Sequence, residues 1–192
     1  MTSAATVANS DGKGDAFDGL PGNPMMWILI LSELAVFGVA FVGFSVARMF
    51  DPATFDAGQE HLDRLLGGLN TLVLLTSGYL AARGVEAGRA DDKKAASRWM
   101  LAAAAVGCVF LVIKLVEYGH TLDAGYDINT NAFFALYFML TGFHFFHVIM
   151  GVIVLCVVAR WNATENLETG AAFWHMVDLI WVLLYPLVYL VR

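Results

Sequence analysis

Two ionisable residues three positions apart interrupt the last apolar segment of the chain. His175 and Asp178 lie within AFWHMVDLIWVLLYPLVYLVR (172–192), a segment otherwise long and apolar enough to cross a bilayer. A charged side chain at membrane depth costs about 3 kcal/mol or more, so such residues normally face a protein interior or a wet cavity. Their spacing places both on one face of a helix, about 5–6 Å apart. We therefore look for function on that face.

Further polar residues lie at comparable depth in other apolar segments. Glu33 lies about two turns into the first segment, and His144 and His147 share one face of the fourth segment. If the helices pack with these faces inward, the sequence predicts one polar cluster in the cytoplasmic half of the membrane. Its predicted members are Glu33, His144, His147, His175 and Asp178.

Three interpretations of this cluster stay open. Two histidines could bind a b-type haem, or histidine and carboxylate could bind a divalent metal, although histidines three apart on one helix do not offer opposed axial ligands. The cluster could instead mark a proton pathway. We favour a structural network that orders the helices, in which each interhelical hydrogen bond contributes about 0.6–2 kcal/mol. On this interpretation we expect neither catalytic residues nor a metal site.

Five apolar stretches must position these residues. Hydrophobic residues make up 59% of the 192 residues, and the mean hydropathy of +0.67 is typical of an integral membrane protein. The chain lacks the basic stripe that nucleic-acid binding needs, which excludes that class of partner. Because a span takes about twenty residues, the sequence predicts an all-α bundle of five transmembrane helices over 27–50, 65–82, 99–118, 132–158 and 171–191.

The distribution of basic residues predicts how the bundle is oriented. Seven lie on the side of the N-terminus and three on the other: Lys13, Arg83, Arg89, Lys93, Lys94, Arg98 and Arg160 against Arg48, Arg64 and Arg192. The positive-inside rule then predicts a cytoplasmic N-terminus and an external C-terminus. Residues 1–24 are small, polar and acidic and are expected to form a flexible tail, which leaves 25–192 as the membrane domain.

Charged and aromatic residues near the span ends have simpler explanations. Lys114 and Glu117 are expected to snorkel to the outer interface, and the stretches 51–63 and 120–131 are expected to be solvated loops. Aromatic side chains of the last two spans are predicted to pack against another subunit or lipid, and packing in the core of the chain is the alternative for the two tryptophans. These residues are Trp174, Trp181, Phe133 and Phe134.

Several motifs together resemble one membrane family. They are WILILSE (27–33), LTSG (75–78), KLVEY (114–118), TGFHFFHVIMG (141–151) and FWHMVDLIW (173–181). They occur in the order seen in subunit III of the haem-copper oxidases, and the likeness covers all five spans. The closest resemblance is to the short five-helix members associated with bacterial nitric oxide reductase.

The resemblance implies an accessory role without catalysis. Subunit III carries no redox centre; it supports the catalytic subunit I, binds phospholipid in a cleft, and assists proton uptake, gas access and sustained turnover. By this resemblance the chain binds no cofactor itself, its partner subunit I holds haem and other metals, and phospholipid is a further partner. Glu33, His144, His147, His175 and Asp178 match the intramembrane glutamate and motif residues of the family. The long form has two additional N-terminal helices that form one wall of that cleft, and this chain lacks them. Lipid binding between two helical bundles therefore requires that another subunit supply the wall.

Two alternatives from other classes are kept. The chain could be a b-type cytochrome, for which an optical spectrum is the test, or a proton-conducting membrane protein that acts on its own. A self-standing transporter would be expected to show inverted repeats and broken helices, and neither is visible in the sequence.

Overall fold

The structure is a computed structural model that describes residues 24–161 and 163–191. Its helices, in chain order, are α1 (Pro24–Phe50), α2 (Pro52–Glu60), α3 (Arg64–Arg89), α4 (Lys93–Asp123), α5 (Ala132–Arg160) and α6 (Thr164–Tyr185), followed by a π-helical turn at Pro186–Leu190. Of the predicted tail over residues 1–24, residues 1–23 lie outside the described residues, and Pro24 begins α1.

Five of the helices are long and apolar enough to span a membrane, as predicted. These are α1, α3, α4, α5, and α6 with its terminal turn. Each is longer than the span predicted from hydropathy, and α3 and α4 in particular continue beyond the apolar stretch into polar ends. We call the end where α1 begins the N-terminal side of the bundle, and the end that holds α2 and Val191 the C-terminal side.

The helices pack as a four-helix bundle with one helix at its edge. Contacts are extensive between α3 and α4, α4 and α5, α3 and α6, and α5 and α6. Helix α6 is the most enclosed of the five, whereas α1 is the least enclosed and lies against α5 and α6. The outward faces of the bundle carry exposed Leu, Val, Ile and Phe side chains. Such a surface is stable only in an apolar solvent, which makes this a multi-pass membrane protein.

Short polar turns separate the spans and define where helices begin. The side chain of Asp63 accepts a hydrogen bond from the Leu66 amide at 3.0 Å, and Asp92 caps α4 in the same way through Ala95 at 2.9 Å. Such caps satisfy amides that the first helical turn leaves without a partner. Asn131 caps α5 through the Phe134 amide at 3.0 Å, so polar side chains of the connecting segments set these helix starts.

The structure corrects the expectation that 51–63 is a solvated loop. Residues Pro52–Glu60 form α2, with Pro at its first position. Phe55 is fully buried, and its ring lies 5.1 Å from that of Phe44 and 5.6 Å from that of Phe133. The prediction failed because one buried aromatic in an otherwise polar stretch gives no hydropathy signal. The second expected loop was partly right, since 124–131 is largely exposed but α4 continues to Asp123.

Helix α2 also holds the end of the chain. The Gln59 amide donates to the carbonyl oxygens of Val188 and Val191 at 2.9 and 3.0 Å. In the π-helical turn that ends the chain, the Val191 amide donates a hydrogen bond to the Pro186 carbonyl oxygen at 2.9 Å. Gln59 therefore donates to carbonyl oxygens that have no hydrogen-bond partner within the last turn of the helix.

Candidate functional site

The five predicted polar residues lie in two pairs and one isolated ring. In the first pair, His147 Nε2 lies 3.1 Å from Glu33 Oε2 and joins α5 to α1. His147 Nδ1 lies 2.9 Å from the Phe143 carbonyl oxygen, which can only accept, so Nδ1 carries a proton. The contact with Glu33 then needs one shared proton, either on Nε2 or on the carboxyl. In both cases the pair is neutral overall, which suits its depth.

The second pair is formed by the motif residues of α6. His175 Nδ1 lies 3.7 Å from Asp178 Oδ2, which is an ion-pair distance and too long for a hydrogen bond. Asp178 is buried against Gly78 of α3, where a Cβ would overlap Oδ2. The His175 side chain is 47% exposed and faces a cleft. The aspartate is thus a packed internal group and the histidine an accessible one.

His144 is enclosed on its own between aromatic rings. It stacks on Trp181 at 5.1 Å between ring centroids and meets Phe110 edge-on at 5.8 Å. Neither ring nitrogen has a hydrogen-bond partner among the described residues. Because it is 0% exposed, it offers no open coordination position. Within 24–161 and 163–191, no three His, Cys, Asp or Glu residues are grouped so that they could hold a metal.

The prediction of one joined cluster is therefore wrong. The i,i+3 spacing identified a shared face within each helix correctly. It could not tell which helix faces which. The Phe37 ring of α1 lies against both histidines of α5, with its centroid 6.4 Å from that of His144 and 5.3 Å from that of His147.

The structure also corrects the prediction that four aromatic residues contact another subunit or lipid. Trp174, Trp181, Phe133 and Phe134 are all 0% exposed. The Trp174 indole donates to Ser77 Oγ at 3.1 Å, and Trp181 donates to Thr71 Oγ1 at 2.9 Å. Both tryptophans therefore join α6 to α3 inside the chain, and none of the four can contact a neighbour.

The expected snorkelling of Lys114 and Glu117 is wrong as well. Lys114 is 0% and Glu117 3% exposed. Lys114 Nζ lies 3.1 Å from Glu117 Oε1 and donates to the hydroxyls of Tyr137 at 3.2 Å and Tyr189 at 2.7 Å. Both tyrosines also donate to Glu117 Oε1. We call these four residues the buried ion-pair cluster.

Aromatic rings replace water around the ammonium of this cluster. Lys114 Nζ lies 4.9 Å from the ring centroids of Tyr118 and Tyr137, and 5.3 Å from that of Trp181. Such cation–π contacts stabilise a desolvated cation by about 2 kcal/mol. The sequence signal was visible, since a Lys and a Glu three apart lie in an apolar segment. Their tyrosine partners come from other helices, which the spacing could not reveal.

A cleft opens on the N-terminal side between α1, α3 and α6. Its volume is about 570 Å³. Arg89 of α3 and Glu168 of α6 form an ion pair of 2.8 Å at its mouth, beside Glu86. Most of its walls are apolar, and His175 lines it about midway along α6, between Glu168 at the mouth and Leu179. The lining includes Trp27, Ile30, Leu34, Ala172, Met176 and Leu179.

Comparison with known proteins places this bundle in a family. The family model described as cytochrome c oxidase subunit III matches residues 23–191. The chain is similar to cytochrome c oxidase subunit 3 of Synechocystis, with 30% identity over 99% of this chain and 85% of that protein. It is also 25% identical to a probable quinol oxidase subunit 3 of Staphylococcus epidermidis, over 86% of each chain. A heme-copper oxidase subunit I+III of Aeropyrum pernix is 28% identical over 86% of this chain and 22% of its own length. The chain therefore belongs to the cytochrome c oxidase subunit III family.

Proposed function

We propose that this chain is the non-catalytic accessory subunit of a haem-copper respiratory oxidase. The observation that carries the proposal is the family match, which extends over all five spanning helices. The enclosure of His144 argues against the alternative of a b-type cytochrome, since a haem ligand needs an open ring nitrogen. The chain then acts through packing, lipid and contact with the subunit that performs the redox chemistry.

The partner is a subunit I-like protein that binds haem and copper. The Aeropyrum relative supports this partner, because its name assigns subunits I and III to one protein. The relatives compared above are named as oxidase subunits. An association with nitric oxide reductase, which the sequence resemblance indicated, stays a prediction.

The proposed location is a bacterial inner membrane, with the N-terminal side of the bundle in the cytoplasm. Basic residues concentrate on that side, at the ends of α3 and α5 and the beginning of α4, as the positive-inside rule requires. These residues are Arg83, Arg89, Lys93, Lys94, Arg98 and Arg160. A fusion of alkaline phosphatase after residue 191 should be active, and one after residue 90 should be inactive.

The cleft is the proposed phospholipid site. Its volume of about 570 Å³ and its apolar walls suit an acyl chain, and its charged mouth suits a headgroup. Each of the two carboxylates at the mouth is paired with an arginine, Glu168 with Arg89 at 2.8 Å and Glu86 with Arg83 at 2.9 Å, so positive and negative charges are equal there. This balance favours a zwitterionic headgroup, whose ammonium would meet a carboxylate and whose phosphate would meet an arginine. Midway along α6, His175 can donate to an ester carbonyl.

The Glu33–His147 pair has a proposed structural role beside this cleft. It is a polar link between the loosely enclosed α1 and the four-helix bundle. If α1 moved away, both groups would lose their partner in an apolar solvent. The pair thereby keeps α1 in place as one wall of the cleft. A role of this chain in proton uptake or gas access follows from the family resemblance alone.

Affinity purification of the complex tests the accessory function. With a tag on this chain and a mild detergent, a subunit I-like haem protein should be recovered in equal amount. Deleting the chain should leave the haem spectrum and the initial turnover nearly unchanged and should shorten the working life of the oxidase. Recovery of the chain alone and monodisperse, or a Soret band that belongs to this polypeptide, would refute the proposal.

Two matched variants test the lipid site separately. Ala172→Phe fills the cleft, whereas Ala105→Phe places the same ring on an exposed part of α4 outside it. Native mass spectrometry of the complex should show one fewer retained phospholipid for Ala172→Phe only. Equal lipid retention in both variants would exclude the cleft as the site and leave the accessory function intact.

A further inference from the structure

A second, smaller cavity lies on the C-terminal side of the bundle. Its volume is about 100 Å³, and it is more enclosed than the lipid cleft. Glu117 contributes to its wall from the depth of α4. The remaining lining comes from the turns around α3 and the end of α4: His61, Asp63, Leu66, His120, Thr121 and Ala124, with Tyr126 at the edge. This cavity therefore connects an exposed set of polar side chains to the buried ion-pair cluster.

Glu117 uses its two carboxylate oxygens differently. Oε1 accepts from Lys114, Tyr137 and Tyr189 on the inner side. Oε2 is buried and has no hydrogen-bond partner among the described residues. A buried acceptor left without a donor costs about 1–3 kcal/mol, and more when the group is charged. Because the side chain is only 3% exposed, bulk solvent does not supply that donor directly.

The cavity has the size and chemistry to supply the donor as bound water. A water occupies about 30 Å³ and needs two to four polar partners. About 100 Å³ therefore holds about three waters. The walls offer the Glu117 carboxylate, the imidazoles of His61 and His120, and the Asp63 carboxylate, whereas a dry cavity would be lined by apolar groups.

We propose that this cavity is a water-binding vestibule through which the buried ion-pair cluster exchanges its labile hydrogens with the C-terminal side of the membrane. A water donates to Glu117 Oε2 and is linked through the others to His120, His61 and the exterior. The exchangeable hydrogens are those of the Lys114 ammonium and of the hydroxyls of Tyr137 and Tyr189, all of which meet at Glu117 Oε1. Glu117 links the two sides: it takes a proton from the Lys114 ammonium, turns the resulting O–H towards the vestibule, exchanges that hydrogen with water and returns the new proton to Lys114. The charge of the cluster is therefore unchanged at the end of each exchange.

The vestibule is separate from the proposed lipid site. The cleft lies on the N-terminal side and is lined by α1, α3 and α6, and none of its lining residues also lines the vestibule. The inference thus goes beyond the accessory and lipid-binding roles. It assigns the chain a solvent-connected ionisable group on the opposite side of the membrane.

Infrared spectroscopy of the purified oxidase complex tests the vestibule. The Glu117 carboxylate stretch is taken from the difference between the parent and Glu117→Gln, and it is followed after transfer from H2O to D2O. If Glu117→Gln does not assemble, the double variant Lys114→Gln/Glu117→Gln provides the same difference without stranding a cation. The stretch should shift within seconds, because deuterated donors replace protonated ones at both oxygens.

Three variants of the cavity region establish the route. Ala124→Leu fills the vestibule and should slow the shift at least about tenfold, whereas Leu66→Ala widens it and should leave the shift at least as fast. Gly119→Ala is the matched control on α4, where an added Cβ meets nothing within 4 Å, and it should behave as the parent. The proposal is overturned if the carboxylate stretch of the parent does not shift in D2O, or if it shifts as fast in Ala124→Leu as in the parent.

Discussion

The fit of Trp174 into the bundle leads to a sharp prediction about one added methyl group. Gly151 of α5 lies directly against this indole, and a Cβ at Gly151 would overlap the Cε3 edge of the ring. The ring cannot turn away freely, because it is fully buried and its indole nitrogen donates to Ser77 Oγ at 3.1 Å. Gly107 of α4 confines the other edge, since a Cβ there would lie 2.8 Å from Cη2.

The expected cost of Gly151→Ala follows from three contributions. Overpacking a rigid core costs about 1–3 kcal/mol, and displacement of the indole loses a hydrogen bond of about 1 kcal/mol. Against this, replacing Gly by Ala within a helix stabilises it by about 1 kcal/mol. The net effect is a destabilisation of about 1–3 kcal/mol. The control Gly142→Ala on the same helix has nothing within 4 Å of its added Cβ and keeps only the stabilising contribution.

Thermal dissociation of the tagged complex measures the difference between the two variants. A gap of about 2–4 kcal/mol corresponds to a midpoint lower by about 5–10 °C for Gly151→Ala than for Gly142→Ala. Trp174→Phe removes the overlapping part of the ring, and Ser77 keeps its own bond to the Ala103 carbonyl. The double variant should therefore be at least about 1 kcal/mol more stable than the sum of the single effects. Equal midpoints for Gly151→Ala and Gly142→Ala, or strict additivity with Trp174→Phe, would refute this packing argument.

Three further predictions concern the polar contacts. Lys114→Met leaves the Glu117 charge without its partner in the core and should lower stability by about 3–5 kcal/mol, measured as loss of the chain from membranes. Lys114→Met/Glu117→Gln should recover most of that stability. Equal loss of the chain in both variants would contradict a buried ion pair. His147→Ala leaves Glu33 without its partner and should lower stability by about 1–3 kcal/mol relative to the control Phe146→Ala at an exposed position. Equal thermal midpoints for the two variants would count against the link between α1 and α5. Gln59→Leu removes both hydrogen bonds that this side chain donates to the last turn and should speed amide exchange in 187–191 about tenfold. Unchanged exchange there would show that α2 does not hold this end.

Much of the functional assignment was accessible from single segments of sequence. Apolar length alone identified five spans, because a helix that crosses a bilayer must satisfy its backbone internally and present about twenty apolar residues. Spacing within one helix correctly paired His175 with Asp178. The motifs around residues 141–151 and 173–181 indicated the family, which the family match over residues 23–191 shows.

The lateral arrangement of the helices was decided only by the tertiary structure. In water, the polar face of a helix reveals which side is inside, but a helix surrounded by lipid is apolar on both sides and carries no such periodic signal. Sequence therefore could not show that Trp174 and Trp181 point inward, or that Glu33 meets His147 rather than the pair on α6. It also could not show that Tyr137 and Tyr189 enclose Lys114, because those partners come from residues 23 and 75 positions away. Spans and motifs depend on local composition, whereas the site depends on which helix faces meet, and close packing of the folded bundle determines that.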